Sequence, residues 1–133
     1  MSTLAVGTIK SISSAAPVFQ NTSGTEKGQL CKAWVNFNGL NTIAIRDSFN
    51  VSSLTDNGNG DYTVTFTNAM SNANYCVTLG VKSPDTTDRV FASLGNSNQS
   101  DPSTTAFTIL CERTSTGTDT NAKYVMASVF GDN

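Results

Sequence analysis

The sequence predicts an all-β protein, an antiparallel β-sandwich with an extended N-terminal arm. Three observations predict it. Beyond residue 28 the side chains alternate between apolar and polar with the period of a strand. No segment sustains the period of a helix. Clusters of Asn, Gly, Asp and Ser interrupt the alternation at intervals of about ten residues, the spacing of short strands joined by tight turns. About seven or eight strands fit, in a jelly-roll-like or Ig-like arrangement. The 133 residues suffice for one such core, and neither an internal repeat nor a second domain is visible. The division expected is residues 1–28 as an arm and oligomerisation segment and residues 29–133 as the sandwich.

The elements follow in order. In the arm, Leu4, Val6, Ile9, Val18 and Phe19 are apolar but too few to form a core, so the segment must lean on the domain or on a neighbouring subunit. Pro17 imposes an extended turn before Val18 and Phe19. In CKAWVNFN, Ala33, Val35 and Phe37 share one face, and Trp34, Asn36 and Asn38 the other. Gly39 to Thr42 is a turn. IAIRDSFNVSSL reads as one bent strand or two short ones, with the bend at Asp47 and Ser48. DNGNGD, Asp56 to Asp61, is a hairpin connection, because Asn-Gly steps reach positive φ at little cost. YTVTFT then places Tyr62, Val64 and Phe66 on one face.

NYCVTLGV aligns Tyr75, Val77, Leu79 and Val81; VFASL is a short strand; TAFTILCER aligns Phe107, Ile109 and Cys111. The last strand, AKYVMASVF, is apolar on both faces, with Tyr124, Met126 and Phe130 opposite Val125, Ala127 and Val129. Such a strand is central in its sheet or lies at a subunit contact. Between these strands run three polar loops: Lys82 to Arg89, Gly95 to Thr105 and Thr114 to Asn121. Loops on a rigid scaffold commonly carry recognition. Asp85, Asp88, Asn96, Asn98, Gln99, Asp119 and Asn121 are the candidate recognition residues.

Composition excludes several functions. Only 14% of residues are charged, the net charge is −2, and Lys and Arg are scattered singly. Nucleic-acid binding draws its affinity from clustered cations and is not expected. No apolar run is long enough for a bilayer, so membrane insertion is not expected, and the opening residues lack the charged and apolar regions of a secretory signal. The protein is therefore expected to be made in a cytoplasm, with Cys31, Cys76 and Cys111 reduced and mostly buried; one disulfide with a spare thiol is the other reading.

The chain contains no histidine, which removes Ser-His-Asp and Cys-His triads and imidazole acid–base chemistry. The acidic pairs Asp56/Asp61 and Asp85/Asp88 sit in turn-rich stretches, where aspartate supports turns rather than a glycosidase cleft. DNGNGD is not an EF-hand calcium loop. Gly58 and Gly60 fall on ligand positions, Asp61 falls where glycine is needed, and Thr67 falls where the closing glutamate should be. Phosphate-cradling glycine loops are absent. Asn21, Asn50 and Asn98 begin Asn-X-Ser triplets that arise by chance in an Asn- and Ser-rich chain. No catalytic, cofactor or metal residue is expected. The single tryptophan, Trp34, suits packing or a subunit contact better than a ligand platform.

Three segments carry a resemblance: TLAVGTIKS with PVFQNTSGTEKGQL (Pro17 to Leu30), CKAWVNFNG (Cys31 to Gly39), and AIRDSFNVSSLTDNGNGDYTVTFTNAMSNANY (Ala44 to Tyr75). Together they resemble tail-fibre and virion structural proteins of marine podoviruses, including those that infect cyanobacteria. The likeness covers roughly the first 75 residues; from Val81 onward only the general β pattern remains. The resemblance implies a non-enzymatic bacteriophage protein at the virion surface, a tail-fibre tip or knob that forms a homotrimer. Its implied partners are other virion proteins and a host cell-surface glycan or protein. It supplies no catalytic residues. A capsid decoration protein is the alternative, and a polysaccharide depolymerase a weaker one. In the trimer, Leu4, Val6, Ile9, Val18, Phe19 and Trp34 are the expected contact residues.

Overall fold

A computed structural model describes residues 5–10, 19–84, 89–95 and 100–131. The chain divides into two compact units, Met1–Leu30 and Cys31–Asn133.

In the first unit, β1 (Phe19–Gln20) pairs antiparallel with β2 (Glu26–Gly28). This hairpin was not expected from the alternation of the arm. Its cause is local: the Asn21 Oδ1 accepts the N–H groups of Ser23 at 3.1 Å and Thr25 at 2.8 Å, and Gly24 takes a φ of 77°. Val6, Ile9 and Phe19 are exposed. Leu4 and Val18 lie outside the described residues.

The second unit is the predicted sandwich. Its strands are β3 (Ala33–Asn38), β4 (Ala44–Phe49), β5 (Val51–Gly58), β6 (Asp61–Phe66), β7 (Cys76–Lys82), β8 (Val90–Leu94), β9 (Ala106–Arg113) and β10 (Tyr124–Phe130). They form two four-stranded antiparallel sheets, one ordered β4-β3-β10-β7 and the other β5-β6-β9-β8. Hairpins join β3 to β4, β5 to β6 and β8 to β9, and the other connections pass between sheets.

The alternation decides which face is buried. Ala33, Val35 and Phe37 from β3, Tyr62, Val64 and Phe66 from β6, Phe107, Ile109 and Cys111 from β9, and Val125, Ala127 and Val129 from β10 fill the space between the sheets. Tyr75 joins them, while Val77, Leu79 and Val81 of the edge strand β7 are only partly buried. The Phe37 and Tyr62 rings meet edge-on at 5.1 Å, and Phe66 lies 5.6 Å from both Tyr75 and Phe107. These are favourable aromatic geometries. β10 is central, flanked by β3 and β7; its inner face is buried, while Met126 and Phe130 on its outer face are exposed.

Three expectations need correction. The bend between β4 and β5 is at Asn50, not at Asp47 and Ser48, which lie within β4. Asn50 has a φ of 55°, which asparagine tolerates better than other non-glycine residues. Its side chain ties the corner, with Oδ1 accepting the Asn68 N–H at 2.8 Å and Nδ2 donating to the Lys32 carbonyl at 3.1 Å. Second, β5 runs on to Gly58, so the hairpin turn is confined to Asn59 and Gly60. Third, of the three free cysteines only Cys111 is buried, while Cys31 is half-buried and Cys76 exposed. Cys76 opens the edge strand β7 with its side chain on the outer face, beside Phe130.

Candidate functional site

The strand registers sort the connections to the two ends of the sandwich. Val90 pairs with Arg113 and Tyr124 with Lys82, so the β7–β8 and β9–β10 connections share one end. The Gly39 to Thr42 turn and the Asn59-Gly60 turn lie at the same end, since Phe37 pairs with Val125 and Asp61 with Leu110. The β8–β9 connection is at the opposite end, where Cys31 enters the unit and Gly131 leaves it. Two of the three polar loops are therefore brought together, and the third is not. Which connections share an end depends on strand order, which no local sequence signal specifies.

The shared end is held by a polar latch. Asn121 Oδ1 accepts the Gly60 N–H at 2.8 Å and the Tyr62 hydroxyl at 2.8 Å. The Gly39 carbonyl also lies within hydrogen-bonding distance of that hydroxyl, at 2.9 Å. Asn59 Nδ2 donates to the Asp119 carbonyl, and Glu112 and Asp119 form an isolated bridge. Asn121, a candidate for recognition, thus spends its acceptor inside the fold. Asp119 offers its backbone to the fold and keeps a half-buried side chain. Asp85, Asp88, Asn96, Asn98 and Gln99 lie outside the described residues.

The outer face of the β4-β3-β10-β7 sheet is the second surface, and alternation points to Trp34 and to the second apolar face of the last strand, Tyr124, Met126 and Phe130. The register places Phe49, Trp34, Ser128 and Thr78 in one row, with Phe130 and Cys76 beyond it toward the end where the chain enters. The next row holds Asp47, Asn36, Met126 and Gly80. Toward the loop end come Asn38, Tyr124 and Lys82, with Arg46 at an irregularity of the β3–β4 pairing. Phe49 is 54% exposed, Phe130 39% and Met126 38%, with Trp34 half-buried among them. The face is thus apolar toward one end and cationic toward the other.

At the cationic end Arg46 is held by three contacts. Its Nη2 donates to Asn38 Oδ1 at 3.4 Å and to the Lys123 carbonyl at 3.0 Å, and its Cζ lies 4.2 Å from the centre of the Tyr124 ring. Lys82 Nζ is 5.8 Å from the same centre. The neighbouring Asp47 turns a carboxylate oxygen to the Ser48 N–H at 2.9 Å.

The outer face of the other sheet is different. It carries Ser53, Thr55, Thr63, Thr65 and Thr108 across β5, β6 and β9, with Leu110, Glu112 and the exposed Phe91 toward the β8 edge. Among the described residues no group of His, Cys, Asp and Glu is placed to hold a metal ion, and no helix is long and apolar enough to cross a membrane. Comparison with family models, with curated proteins and with solved structures finds no match to the chain.

Proposed function

We propose that this chain is a non-enzymatic bacteriophage virion surface protein, a tail-fibre tip or knob that assembles as a homotrimer and attaches to a host receptor. The observation that carries the reading is the one-ended organisation of the sandwich. The apolar half of the β4-β3-β10-β7 face lies toward the end where Cys31 enters the unit, together with the β8–β9 connection, while two polar loops and two tight turns gather at the other. A module fixed to a particle at one end and presenting loops at the other has this polarity. The resemblance of the first 75 residues to podovirus tail-fibre proteins agrees with it.

Trp34, Phe49, Met126 and Phe130 supply a contact face of the aromatic and methionine-rich kind that subunit interfaces favour. Exposed Val6, Ile9 and Phe19 are the arm's contribution to assembly. Light scattering at micromolar concentration is expected to give three times the 14.0 kDa chain mass; a monomer mass contradicts the trimer. The purified protein is expected to compete with phage for adsorption to host cells, and failure to compete removes the receptor role.

The second reading is a capsid decoration protein, favoured by the same exposed arm residues, which could equally dock on a neighbouring virion protein. Immunogold labelling of intact particles separates the two, with label on the tail for a fibre tip and on the head for decoration.

A further inference from the structure

We infer that Arg46, Lys82 and Tyr124 form a binding site for an oxyanion carried by a glycan, such as the carboxylate of a uronic acid residue. The inference rests on the receptor-attachment reading and names the chemistry of the ligand.

The chain has eight basic residues and a net charge of −2, so cations are scarce. Two of them nevertheless lie around one ring. Arg46 and Lys82 both approach Tyr124, and Lys123 precedes it in the chain. Arg46 and Lys82 are exposed, and no described carboxylate pairs with either. Asp47, next to Arg46 in the chain, accepts the Ser48 N–H.

The guanidinium is also preorganised. A free arginine side chain loses rotamer freedom when a ligand fixes it. Here Asn38 Oδ1, the Lys123 carbonyl and the Tyr124 ring fix it beforehand. Both hydrogen bonds use Nη2, so Nε–H and both Nη1 hydrogens stay uncommitted. Charge-assisted hydrogen bonds from a preset donor are the strong ones. Lys82 adds a second positive charge on the same ring, and a ligand that spans both needs negative charge.

The surroundings favour a sugar as the carrier of that charge. The Asn38 amide and the Tyr124 ring border the guanidinium. Such a neutral polar surface suits hydroxyl groups. The cluster lies at the loop end of the sheet, away from the apolar rows around Trp34 and Phe49, so a ligand there does not compete with assembly through those rows.

The test is calorimetric titration of the intact protein with three probes: a galacturonate hexamer, its carboxyl-reduced neutral form, and an oligosaccharide joined by phosphodiesters. Binding of an acidic probe and none of the neutral one is expected, and the stronger of the two acidic probes identifies the oxyanion. Arg46→Gln and Lys82→Gln should each weaken that binding by about tenfold or more, the scale of one charge-assisted hydrogen bond. Arg46→Lys should recover only part, because charge is kept and the fixed plane is lost. An unchanged thermal midpoint in Lys82→Gln, which leaves the Arg46 contacts intact, separates loss of binding from loss of fold. Equal binding of acidic and neutral probes, or unchanged affinity in Arg46→Gln, overturns the inference. If the protein competes for adsorption yet binds neither acidic probe, the oxyanion site falls and the receptor role survives. If it binds the acidic probe through Arg46 yet does not compete, the site stands and the receptor role falls.

Discussion

Tyr62 shows how much one buried polar atom can organise. Its ring packs on Phe37, and its hydroxyl meets Gly39 and Asn121 from two different connections. Tyr62→Phe keeps the ring and removes the donor, so a loss of about 1–3 kcal/mol is expected in a denaturant titration. Gly60 is more constrained. Its φ is 75°, and an added Cβ would come within 2.5 Å of the Cys111 carbonyl oxygen, a backbone atom that cannot step aside. Gly60→Ala should cost about 2–4 kcal/mol, from the positive φ and the overlap together. The opposite sign is expected at Thr108, whose Oγ1 is enclosed without a hydrogen-bond partner. Thr108→Val keeps the shape and removes the stranded hydroxyl, and should raise stability by about 1 kcal/mol.

The same burial sets a pH limit. Burial pushes the Tyr75 hydroxyl from 10.0 up to about 12 and the Cys111 thiol from 9.0 up to about 12. Tyr62 is raised as well, by burial first and then by Cys111 and Asp56 nearby. In each case the folded chain holds its proton more tightly than the unfolded chain. The stabilisation is complete below the unfolded value and is lost as pH climbs toward the folded one. The urea midpoint should therefore fall above about pH 9, and Cys111→Ala should remove the earliest part of that fall.

At the scale of elements, the outer face of β4-β3-β10-β7 combines two chemistries on one surface. Phe49 sits on an edge strand and is more than half exposed, so it contributes little to the core of a single chain. Phe49→Ser should leave the melting temperature of the monomeric fold almost unchanged and, if the face is the proposed interface, lower the light-scattering mass. Val35→Ser, on the opposite face of the neighbouring strand and 2% exposed, should instead unfold the protein or lower its melting temperature sharply. The contrast between the two substitutions tests whether the outer rows are an interface.

For the molecule as a whole, the pairing of β3 with β10 joins the first and last strands of the sandwich. Every residue of the buried cluster belongs to the unit that starts at Cys31. Removing residues 1–30 should therefore leave the thermal transition of the sandwich nearly in place. If the arm contributes to assembly, the same deletion should weaken the trimer, read by light scattering across a dilution series. A large drop in the thermal midpoint would show that the arm supports the core.

Alternation along the chain was enough to determine the all-β class, the buried residues of β3, β6 and β9, and a hairpin within Asp56 to Asp61, because a period of two and a turn preference are local properties. It also marked β10 as a strand without a polar face. Misplacing the bend has the same origin. Asp47 and Ser48 have turn propensity, but the break falls at Asn50, where side-chain bonds to Lys32 and Asn68 stabilise the corner from distant parts of the chain. Only the tertiary structure decided which loops share an end, that Trp34 lies in a row with Phe49, and that Arg46, Lys82 and Tyr124 converge. Those juxtapositions follow from strand order and register between residues far apart in sequence, and the pattern along one strand carries no information about which strand will lie beside it.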